Sequence, residues 1–303
     1  MPEHKNILWI NMSAPSLGDS LMDLSSRIML KDRNLDLFTD VKNAHLYKND
    51  LIFSSVFTDK QQIKKNIYDL IIIDSYSTRS IRMKVNVAIS TPFLGMFGYY
   101  NGPEVNRVLF SFHRMNKLLG YINNENEINC NAKCSISISS ADKKIIQELK
   151  LPDNFIAIAI GGEWDYRTYQ KWDSVIERII KNDKKLNVVL LGSRNAKEIA
   201  KKIVYKNSYY NLYDYVDKFT FNQTSEIIKR AQVLLCCDGG LMHSANAVNT
   251  PIVALLAKLS PEMQLTNCIK AFSIYKNTNV NSISVDDICT KFQEASNFLN
   301  TNS

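Results

Sequence analysis

Short, continuous apolar runs separated by helix-like segments restrict how this chain of 303 residues folds. The apolar runs cover residues 6–11, 35–39, 68–74, 155–160, 186–192, 232–237 and 251–257, with a weaker run at 85–89. Helix-like segments cover residues 20–30, 170–181, 196–204 and 224–230. Strands that are apolar along their whole length are typical of a parallel sheet covered on both faces. Their alternation with helices predicts a doubly wound α/β fold.

The strand-like runs fall into two groups on either side of a weakly periodic region at residues 123–152. We therefore predict two Rossmann-like domains, over residues 1–148 and 149–303, with the last helix able to pack back on the N-terminal domain. Ligands of such sheets bind beyond the carboxyl ends of the strands. The two domains are expected to face each other across a cleft, so functional residues are sought in the loops that follow strands.

Charge and composition narrow the classes of function. Lys and Arg outnumber Asp and Glu by 37 to 30, and the net charge of +7 suits a phosphorylated ligand, an anionic membrane face or a nucleic acid. The lysines are scattered and no nucleic-acid-binding motif accompanies them, which argues against nucleic acid. The cysteines form no CxxC pair, the N-terminus does not resemble a signal peptide, and no apolar run approaches the roughly 20 residues of a membrane span. We expect a cytoplasmic protein.

Motifs for metal binding and for common nucleophiles are missing from the sequence. It contains no HxH, HExxH or Asp-x-Asp pattern, no GxSxG elbow and no Walker-type loop. We therefore expect neither a metal ion nor a cofactor.

The stretch "CDGGLMHSANAVNTPIVALLA" places two glycines between an apolar run and a helix-like segment. Glycines at a helix N-terminus let an anion approach the backbone N–H groups, which would make Asp238, Gly239 and Gly240 part of a phosphate site. A tight connection that needs a positive φ explains the same glycines equally well. Both interpretations stay open on these residues alone.

Two other loops also follow apolar runs. "SAPSLGDSL" puts Asp19 before a helix opened by Ser20, where a carboxylate serves more often as an N-cap than as a general base. "GGEWDYRTYQKW" carries Arg167, a residue type that clamps phosphates, and aromatic side chains that suit a sugar or base face or else cap the core. We assign Trp172 to the core.

These loops together resemble glycosyltransferase family 9, the heptosyltransferases. "CDGGLMHSANAVNTPIVALLA" is similar to that family's signature D-(S/T)-G-x-x-H-x-A-x-A-x-x-x-P-x-(V/I)-x-(L/I), with Asp238, Gly240, His243, Ala245, Ala247 and Pro251 in register. "NILWINMSAPSLGDSLMDLSSRIML" resembles the family's opening strand followed by S-x-G-D, and "LNVVLLGSRNAKEIAKKI" resembles its second-domain strand, turn and helix. The resemblance implies a GT-B fold and an inverting, metal-independent transfer of heptose from ADP-heptose to a bacterial surface glycan such as lipopolysaccharide core.

The resemblance also implies roles for single residues. Asp19 takes the place of the catalytic base, Arg167 loosely that of a donor-binding cation, and Glu198 that of a carboxylate on the nucleoside ribose. By the same resemblance, the donor's diphosphate and sugar are bound by Asp238, Gly239, Gly240, Leu241 and His243. The implied partners are a nucleotide-sugar donor and a glycolipid or other glycan acceptor, with peripheral contact to the anionic face of the inner membrane. No residue is assigned to the acceptor.

The chain departs from the family pattern in three places. Gly239 replaces the usual Ser or Thr, "AIGGEW" replaces the common H-P-G-A start, and "YQ" replaces a Trp-Pro pair. Two alternatives therefore stay open: a family member without catalysis that binds a nucleotide-sugar or acts as a partner subunit, and a glycosyltransferase with a different sugar or a protein acceptor. Retention of Asp19 argues for catalysis, and loss of the hydroxyl at Gly239 argues against it.

Overall fold

The computed structural model describes residues 5–98, 106–207 and 210–302. The chain divides into two units, Met1–Ser137 with Thr266–Cys268 and Ile138–Leu265 with Ile269–Ser303. Each unit has its own parallel sheet. Among the helices of the described ranges, none combines the length and the apolar character needed to cross a membrane.

The described part of the first unit holds a five-stranded parallel sheet in the order β3-β2-β1-β4-β5. Its strands are β1 (Asn6–Asn11), β2 (Asn34–Thr39), β3 (Phe53–Phe57), β4 (Leu70–Ile73) and β5 (Phe93–Gly95). Its α-helices are α1 (Leu17–Asp23), α2 (Val41–Ala44), α3 (Thr78–Val87), α4 (Arg107–Leu118) and α5 (Glu125–Asn131), and 3-10 helices cover Ser25–Leu30 and Lys60–Gln62. The central strand β1 is buried on both faces from Ile7 to Ile10, which is why an unbroken apolar run forms it.

The weak run at residues 85–89 does not form a strand, so this prediction was wrong. Most of these residues belong to the end of α3, which follows Ser77, whose hydroxyl accepts a hydrogen bond from the N–H of Ser80. Met83 and Val87 are buried while Val85 between them is exposed. The buried positions are four residues apart and therefore follow the spacing of a helix rather than that of a strand.

The predicted helix at residues 20–30 begins earlier and ends earlier than expected. Ser16, rather than Ser20, caps α1, because its side chain accepts a hydrogen bond from the N–H of Asp19. α1 ends at Asp23, and the chain continues as the 3-10 helix Ser25–Leu30. Asp19 therefore lies inside the first turn of α1 rather than in front of it.

The described part of the second unit holds a six-stranded parallel sheet in the order β11-β10-β9-β6-β7-β8. Its strands are β6 (Phe155–Ala159), β7 (Asn187–Leu191), β8 (Leu212–Asp214), β9 (Leu234–Cys237), β10 (Ile252–Ala257) and β11 (Ala271–Lys276). Its α-helices are α6 (Ser140–Glu148), α7 (Trp172–Asn182), α8 (Lys197–Lys206), α9 (Phe221–Arg230), α10 (Gly240–Val248), α11 (Pro261–Gln264) and α12 (Val285–Asn302). Its 3-10 helices cover Asp165–Arg167, Arg194–Ala196 and Val280–Ser282. β6, β9 and β10 lie next to one another, so their carboxyl ends meet at one edge of the sheet.

The division between the units falls after Ser137, earlier than the predicted boundary between residues 148 and 149. α6 belongs to the second unit because Ile146 is buried in the same apolar cluster as Phe155 and Ile228. Asp142 on α6 also accepts a hydrogen bond from Nε2 of Gln223 on α9, at 2.9 Å. The predicted boundary therefore cut α6 away from the helix against which it packs.

The last helix packs within the second unit. Ile288 and Ala295 of α12 are buried in the same apolar cluster as Val175 of α7. A short internal segment takes the opposite course, since Thr266–Cys268 group with the first unit. There the side chains of Thr266 and Cys268 contact the carbonyl oxygen of Ala132 at 2.5 and 2.9 Å.

Candidate functional site

The carboxyl edge of the second sheet brings together two of the residues selected from the sequence. Asp238 directly follows β9, and Arg167 ends the 3-10 helix in the loop after the neighbouring strand β6. Nη1 of Arg167 donates a hydrogen bond to Oδ2 of Asp238 at 3.1 Å. The side chain of Asp238 is only 4% exposed, so its carboxylate is buried against this one guanidinium. The pair joins positions 71 residues apart.

A second cation, which the sequence reasoning missed, lies at the same edge. Lys258 directly follows β10, and its Nζ lies 3.9 Å from the centroid of the Tyr166 ring. Cζ of Arg167 lies 5.9 Å from the centroid of that ring. Lys258 was identifiable in principle, because it follows an apolar run and residues at that position were already the candidates. Its neighbours carry no motif, so nothing in the sequence linked it to Arg167.

The N-terminus of α10 completes this edge. Gly239 is the N-cap and makes no side-chain hydrogen bond to the helix, and Gly240 is the first helical residue. Gly239 has an extended backbone with φ 164° and ψ −177°, so the interpretation that this glycine pair serves a turn with a left-handed φ was wrong. A Cβ atom added to Gly239 would meet nothing within 4 Å. The first turn of α10 therefore offers backbone N–H groups next to open space.

Two further residues of the predicted donor site lie deeper in α10. The side chain of Leu241 packs partly buried against the apolar cluster of the second unit. His243 is buried, and its backbone N–H bonds to the carbonyl oxygen of Gly239 at 3.4 Å. Leu241 can therefore meet a ligand at this edge through its backbone N–H rather than through its side chain.

The loop after β6 is held close to the loop after β7. Gly161 has a φ of +84°, in the left-handed region that favours glycine, and a Cβ on it would lie 2.7 Å from that of Ala196. Nδ2 of Asn195 donates to the carbonyl oxygen of Gly162 at 2.7 Å. Of the aromatic side chains here, Tyr169 and Trp172 are buried in the core, Trp164 is exposed, and Tyr166 lies against the two cations.

Glu198 stands apart from these contacts. It lies in the first turn of α8, and its Oε1 accepts a hydrogen bond from Nζ of Lys201 on the same helix at 2.8 Å. That hydrogen bond lowers the pKa of the Glu198 carboxyl, although the side chain is 76% exposed. The structure pairs this carboxylate with Lys201 and not with Arg167 or Asp238.

In the first unit, Asp19 is held by two side chains. Its Oδ2 accepts a hydrogen bond from the Ser16 hydroxyl at 2.6 Å, and its Oδ1 forms an ion pair with Nη1 of Arg107 at 2.6 Å. Because Ser16 is the N-cap, the interpretation of Asp19 as the cap was wrong. Arg107 also donates, through Nη2, to Oδ1 of Asp23. One guanidinium thus lies between two carboxylates of α1.

Asp23 and Asp74 are buried carboxylates in the same region, and neither was selected from the sequence. Burial raises the pKa of the Asp23 carboxyl to about 7 against the opposing charge of Arg107, and the nearby carboxylates of Asp19 and Asp74 add to the rise. Oδ2 of Asp74, directly after β4, accepts hydrogen bonds from the backbone N–H groups of Met12 and Ser13 at 2.7 and 2.5 Å. Asp74 therefore fixes the loop that leads from β1 to α1. Asp74 ends a predicted strand, and this position in the sequence could have identified it as a candidate functional residue.

Within residues 5–98, 106–207 and 210–302, no group of three or more His, Cys, Asp or Glu side chains is arranged to hold a metal ion. The clusters described above consist of carboxylates with guanidinium or ammonium groups. Such groups bind anions and hold or accept protons.

Comparison with known proteins relates this arrangement to one family. The model of "Glycosyltransferase family 9 (heptosyltransferase)" matches residues 102–290. That match contains Arg167, Asp238, Lys258 and α10, as well as Arg107. No curated protein matches the chain in sequence.

Solved structures match nearly the whole chain. A glycosyl transferase family 9 protein from Veillonella parvula DSM 2008 has a TM-score of 0.78 at 14% identity, covering 98% of this chain and 97% of its own. E. coli ADP-heptose lps heptosyltransferase II has a TM-score of 0.75 at 17% identity, covering 96% and 98%. E. coli heptosyltransferase WaaC with ADP has a TM-score of 0.69 at 12% identity, covering 96% and 98%. These matches confirm the predicted fold class, α/β of the GT-B type with two Rossmann-like domains.

Proposed function

Since the chain belongs to glycosyltransferase family 9 and is a glycosyltransferase, we propose that it transfers heptose from ADP-heptose to a bacterial surface glycan such as lipopolysaccharide core. The observation that carries this proposal is the pair of half-buried Arg167 with buried Asp238, beside Lys258 and the open N-terminus of α10. A nucleoside diphosphate needs cations and N–H donors, and both stand at this edge. One of the similar E. coli structures holds ADP, which supports ADP as the nucleotide.

In this proposal the donor's diphosphate lies against the first turn of α10. The N–H groups of Gly240 and Leu241 meet phosphate oxygens, and Gly239 leaves the space above them open. Nη1 of Arg167 is already fixed by Asp238, so the guanidinium is oriented before the donor binds. Lys258 adds a second positive charge. His243, which is buried in α10, is also proposed to contribute to donor binding. Glu198 is proposed to bind the nucleoside ribose.

The acceptor end of the reaction is proposed to use Asp19 as a general base. The acceptor hydroxyl attacks the anomeric carbon on the face opposite the diphosphate, and its proton passes to the carboxylate of Asp19. The bond between that carbon and the diphosphate oxygen breaks, and ADP leaves. Attack from the opposite face inverts the anomeric configuration.

The charge that builds up on departing ADP is proposed to be balanced by Arg167, Lys258 and the N-terminus of α10, without a metal ion. The proposal therefore expects transfer to persist in EDTA. We further propose that the enzyme works on the cytoplasmic side, where its net charge of +7 favours contact with an anionic membrane face that carries the acceptor.

The test incubates the purified protein with ADP-heptose, UDP-glucose and GDP-mannose in turn, each with heptose-deficient glycolipid as acceptor. Nucleotide release is followed with and without EDTA, and mass spectrometry with NMR identifies the added sugar and its anomeric configuration. Transfer from ADP-heptose with inversion, unaffected by EDTA, supports the proposal. Transfer from another donor would assign a different sugar, and loss of transfer in EDTA that a divalent ion restores would overturn the metal-independent mechanism.

A further inference from the structure

Arg107 connects Asp19 to a second carboxylate that the proposed reaction does not use. Asp19 and Asp23 are four residues apart on α1 and therefore lie on the same side of the helix. The two terminal nitrogens of Arg107 each take one of them, Nη1 binding Asp19 at 2.6 Å and Nη2 binding Asp23. A guanidinium presents several N–H donors in a fixed plane, so the position of one carboxylate limits that of the other.

The start of α4 fixes Arg107 from its own side. Asn106 caps this helix, and its side chain accepts hydrogen bonds from the N–H groups of Val108 and Leu109, both at 3.1 Å. Cζ of Arg107 lies 5.6 Å from the centroid of the Phe97 ring. The Ser111 hydroxyl, one turn further along α4, donates to the backbone oxygen of Asp23 at 3.2 Å. The capped start of α4 thus fixes the backbone of Arg107, the Phe97 ring lies against its guanidinium, and the two carboxylates bind its terminal nitrogens.

Asp23 and Asp19 differ in their access to solvent. The side chain of Asp23 is 2% exposed and that of Asp19 is 23% exposed. A reacting hydroxyl and its proton can therefore reach Asp19 and not Asp23. A buried carboxylate beside a cation that also binds a solvent-accessible carboxylate therefore acts on the reaction through its charge and through that cation, and not by contact with the substrate.

We propose that Asp23 is a positioning residue for Asp19, acting through Arg107: while it is ionised, it shares the charge of Arg107 and leaves Asp19 a competent base. This inference rests on the proposed function, in which Asp19 takes the acceptor's proton. With Asp23 ionised, one positive charge serves two carboxylates. With Asp23 protonated, Arg107 pairs with Asp19 alone, and the stronger pairing weakens Asp19 as a base.

The groups around Asp23 make its own titration the dominant change near neutral pH. Burial raises the pKa of Asp23 to about 7. The other charged groups that act on it are Arg107, Asp19 and Asp74. Burial also raises the pKa of Tyr47 and that of Cys134, the latter to about 12, so both stay uncharged, and the nearby Arg27 forms a buried ion pair with Asp50 at 2.6 Å. Turnover should therefore rise with pH through about 7 and level off above it.

The experiment measures ADP release from ADP-heptose with water as the acceptor, between pH 5.5 and 8.5. In this probe reaction water attacks the anomeric carbon, ADP leaves and Asp19 takes the proton of water. Asp23→Asn mimics the protonated form, so we expect about tenfold slower release at pH 8, within the usual range of coupling inside one salt-bridge network. The rise of the rate near pH 7 should disappear. The Km for ADP-heptose should stay unchanged.

A matched control separates positioning from general stability. Asp36 is also a buried carboxylate of the first unit, and Oδ2 accepts a hydrogen bond from the Tyr68 hydroxyl at 2.8 Å. Asp36→Asn should lower the melting temperature, and its rate of ADP release should still rise through about pH 7 as in the wild type. Arg107→Lys keeps one positive charge but cannot bind both carboxylates with a planar fork, so it should lower kcat and leave the affinity for ADP unchanged.

Asp19→Asn distinguishes failure of this inference from failure of the proposed function. If Asp19→Asn is inactive and the rate of ADP release in Asp23→Asn still rises near pH 7, the inference is overturned and the proposed base stands. If Asp19→Asn releases ADP at the wild-type rate, the proposed base is overturned and the inference with it.

A measurement that needs no turnover follows the carboxyl carbon of Asp19 by NMR, with its resonance assigned through Asp19→Asn. In the wild type this resonance should shift between pH 6 and 8 as Asp23 ionises, and the shift should vanish in Asp23→Asn. An Asp19 resonance that does not sense Asp23 would overturn the inference.

Discussion

The two units carry opposite arrangements of charge next to the loops that follow their strands. In the first unit one guanidinium, that of Arg107, lies between the carboxylates of Asp19 and Asp23. In the second unit one buried carboxylate, that of Asp238, meets Arg167, and Lys258 lies on the same aromatic ring as that arginine. The first cluster has an excess of carboxylate and the second an excess of cation.

This difference matches the two charges that the proposed reaction must handle. A carboxylate accepts a proton more readily when its charge is not fully neutralised by a cation. Asp19 meets this condition while it shares Arg107 with Asp23. A diphosphate is bound by cations that are not used up by carboxylates. Glu163 does not cancel the excess of positive charge in the second unit, because its carboxylate is 71% exposed and lies 3.9 Å from Nη2 of Arg167. The following substitutions test whether the two clusters serve separate steps.

The largest effect is expected for Asp19→Asn. Ser16 caps α1, so asparagine at position 19 leaves the cap in place; it removes the proton acceptor and the charge that pairs with Arg107. Turnover should fall by about 10²–10⁴-fold, the usual worth of a general base, while the Kd for ADP and the melting temperature stay close to wild type. Asp40→Asn, which removes an exposed ion pair with Arg79 in the same unit, is the control. Near-normal turnover in Asp19→Asn would remove Asp19 from the mechanism.

Arg167→Met should act on binding instead of on turnover. Loss of a charge-assisted hydrogen bond costs about 1.5–3 kcal/mol, so the Kd for ADP should rise about 10- to 150-fold in calorimetry. The single change also leaves the Asp238 carboxylate buried without its cation and lowers the melting temperature. Adding Asp238→Asn should restore stability without restoring affinity.

The control for Arg167 is Arg178→Met, which breaks a surface ion pair with Asp286 in the same unit. It should leave the affinity for ADP unchanged. Wild-type affinity for ADP in the stable double variant of Arg167 and Asp238 would place the diphosphate elsewhere.

Lys258→Met should give a smaller loss of the same kind. Lys258 is an exposed residue, and an exposed charge contributes up to about 1 kcal/mol, so the Kd for ADP should rise about three- to fivefold. Lys218→Met is a matched control, because Lys218 lies 5.8 Å from the centroid of the Tyr215 ring in the same unit. An equal effect of both substitutions on ADP binding would show that Lys258 acts only through the net charge.

The smallest effect is expected for Gly239→Ser, which introduces the hydroxyl that the family pattern carries there. The extended backbone and open space at Gly239 accept a side chain, so the melting temperature should hardly change. One added hydrogen bond should tighten ADP-heptose binding about two- to threefold, near the lower end of its usual worth. Gly239→Ala adds the Cβ without the hydroxyl and should leave affinity unchanged. Equal affinities of the serine and alanine variants would show that the hydroxyl has no partner on this donor.

Much of the fold was predictable from residues close together in the sequence. The mainly apolar runs form β1, β4, β6, β7, β9 and β10, because strands covered on both faces bury nearly all of their side chains. Short edge strands were missed: β5 and β8 have three residues each and are only partly buried, so their sequences carry no continuous apolar run. The run at residues 85–89 was assigned as a strand because five residues are too few to separate helical from strand spacing.

The candidate site was predictable only in part. Asp19, Arg167 and Asp238 were selected because each follows a strand-like run, a position that the sequence itself reveals. Sequence reasoning assigned the cap of α1 wrongly, since Ser16 and Ser20 are both residue types that cap helices and the first turn decides between them. Asp23 escaped selection because nothing in its local sequence shows that it is buried.

The sequence by itself determined that this chain folds into two parallel α/β domains and which loops follow their strands, because apolar spacing and glycine placement act over a few residues. Only the tertiary structure decided how the charges pair. Arg107 meets Asp19 and Asp23 across 88 and 84 residues, and Arg167 meets Asp238 across 71. Such pairs depend on where distant elements come to lie, and the burial that raises the pKa of Asp23 exists only after α4 has packed against α1.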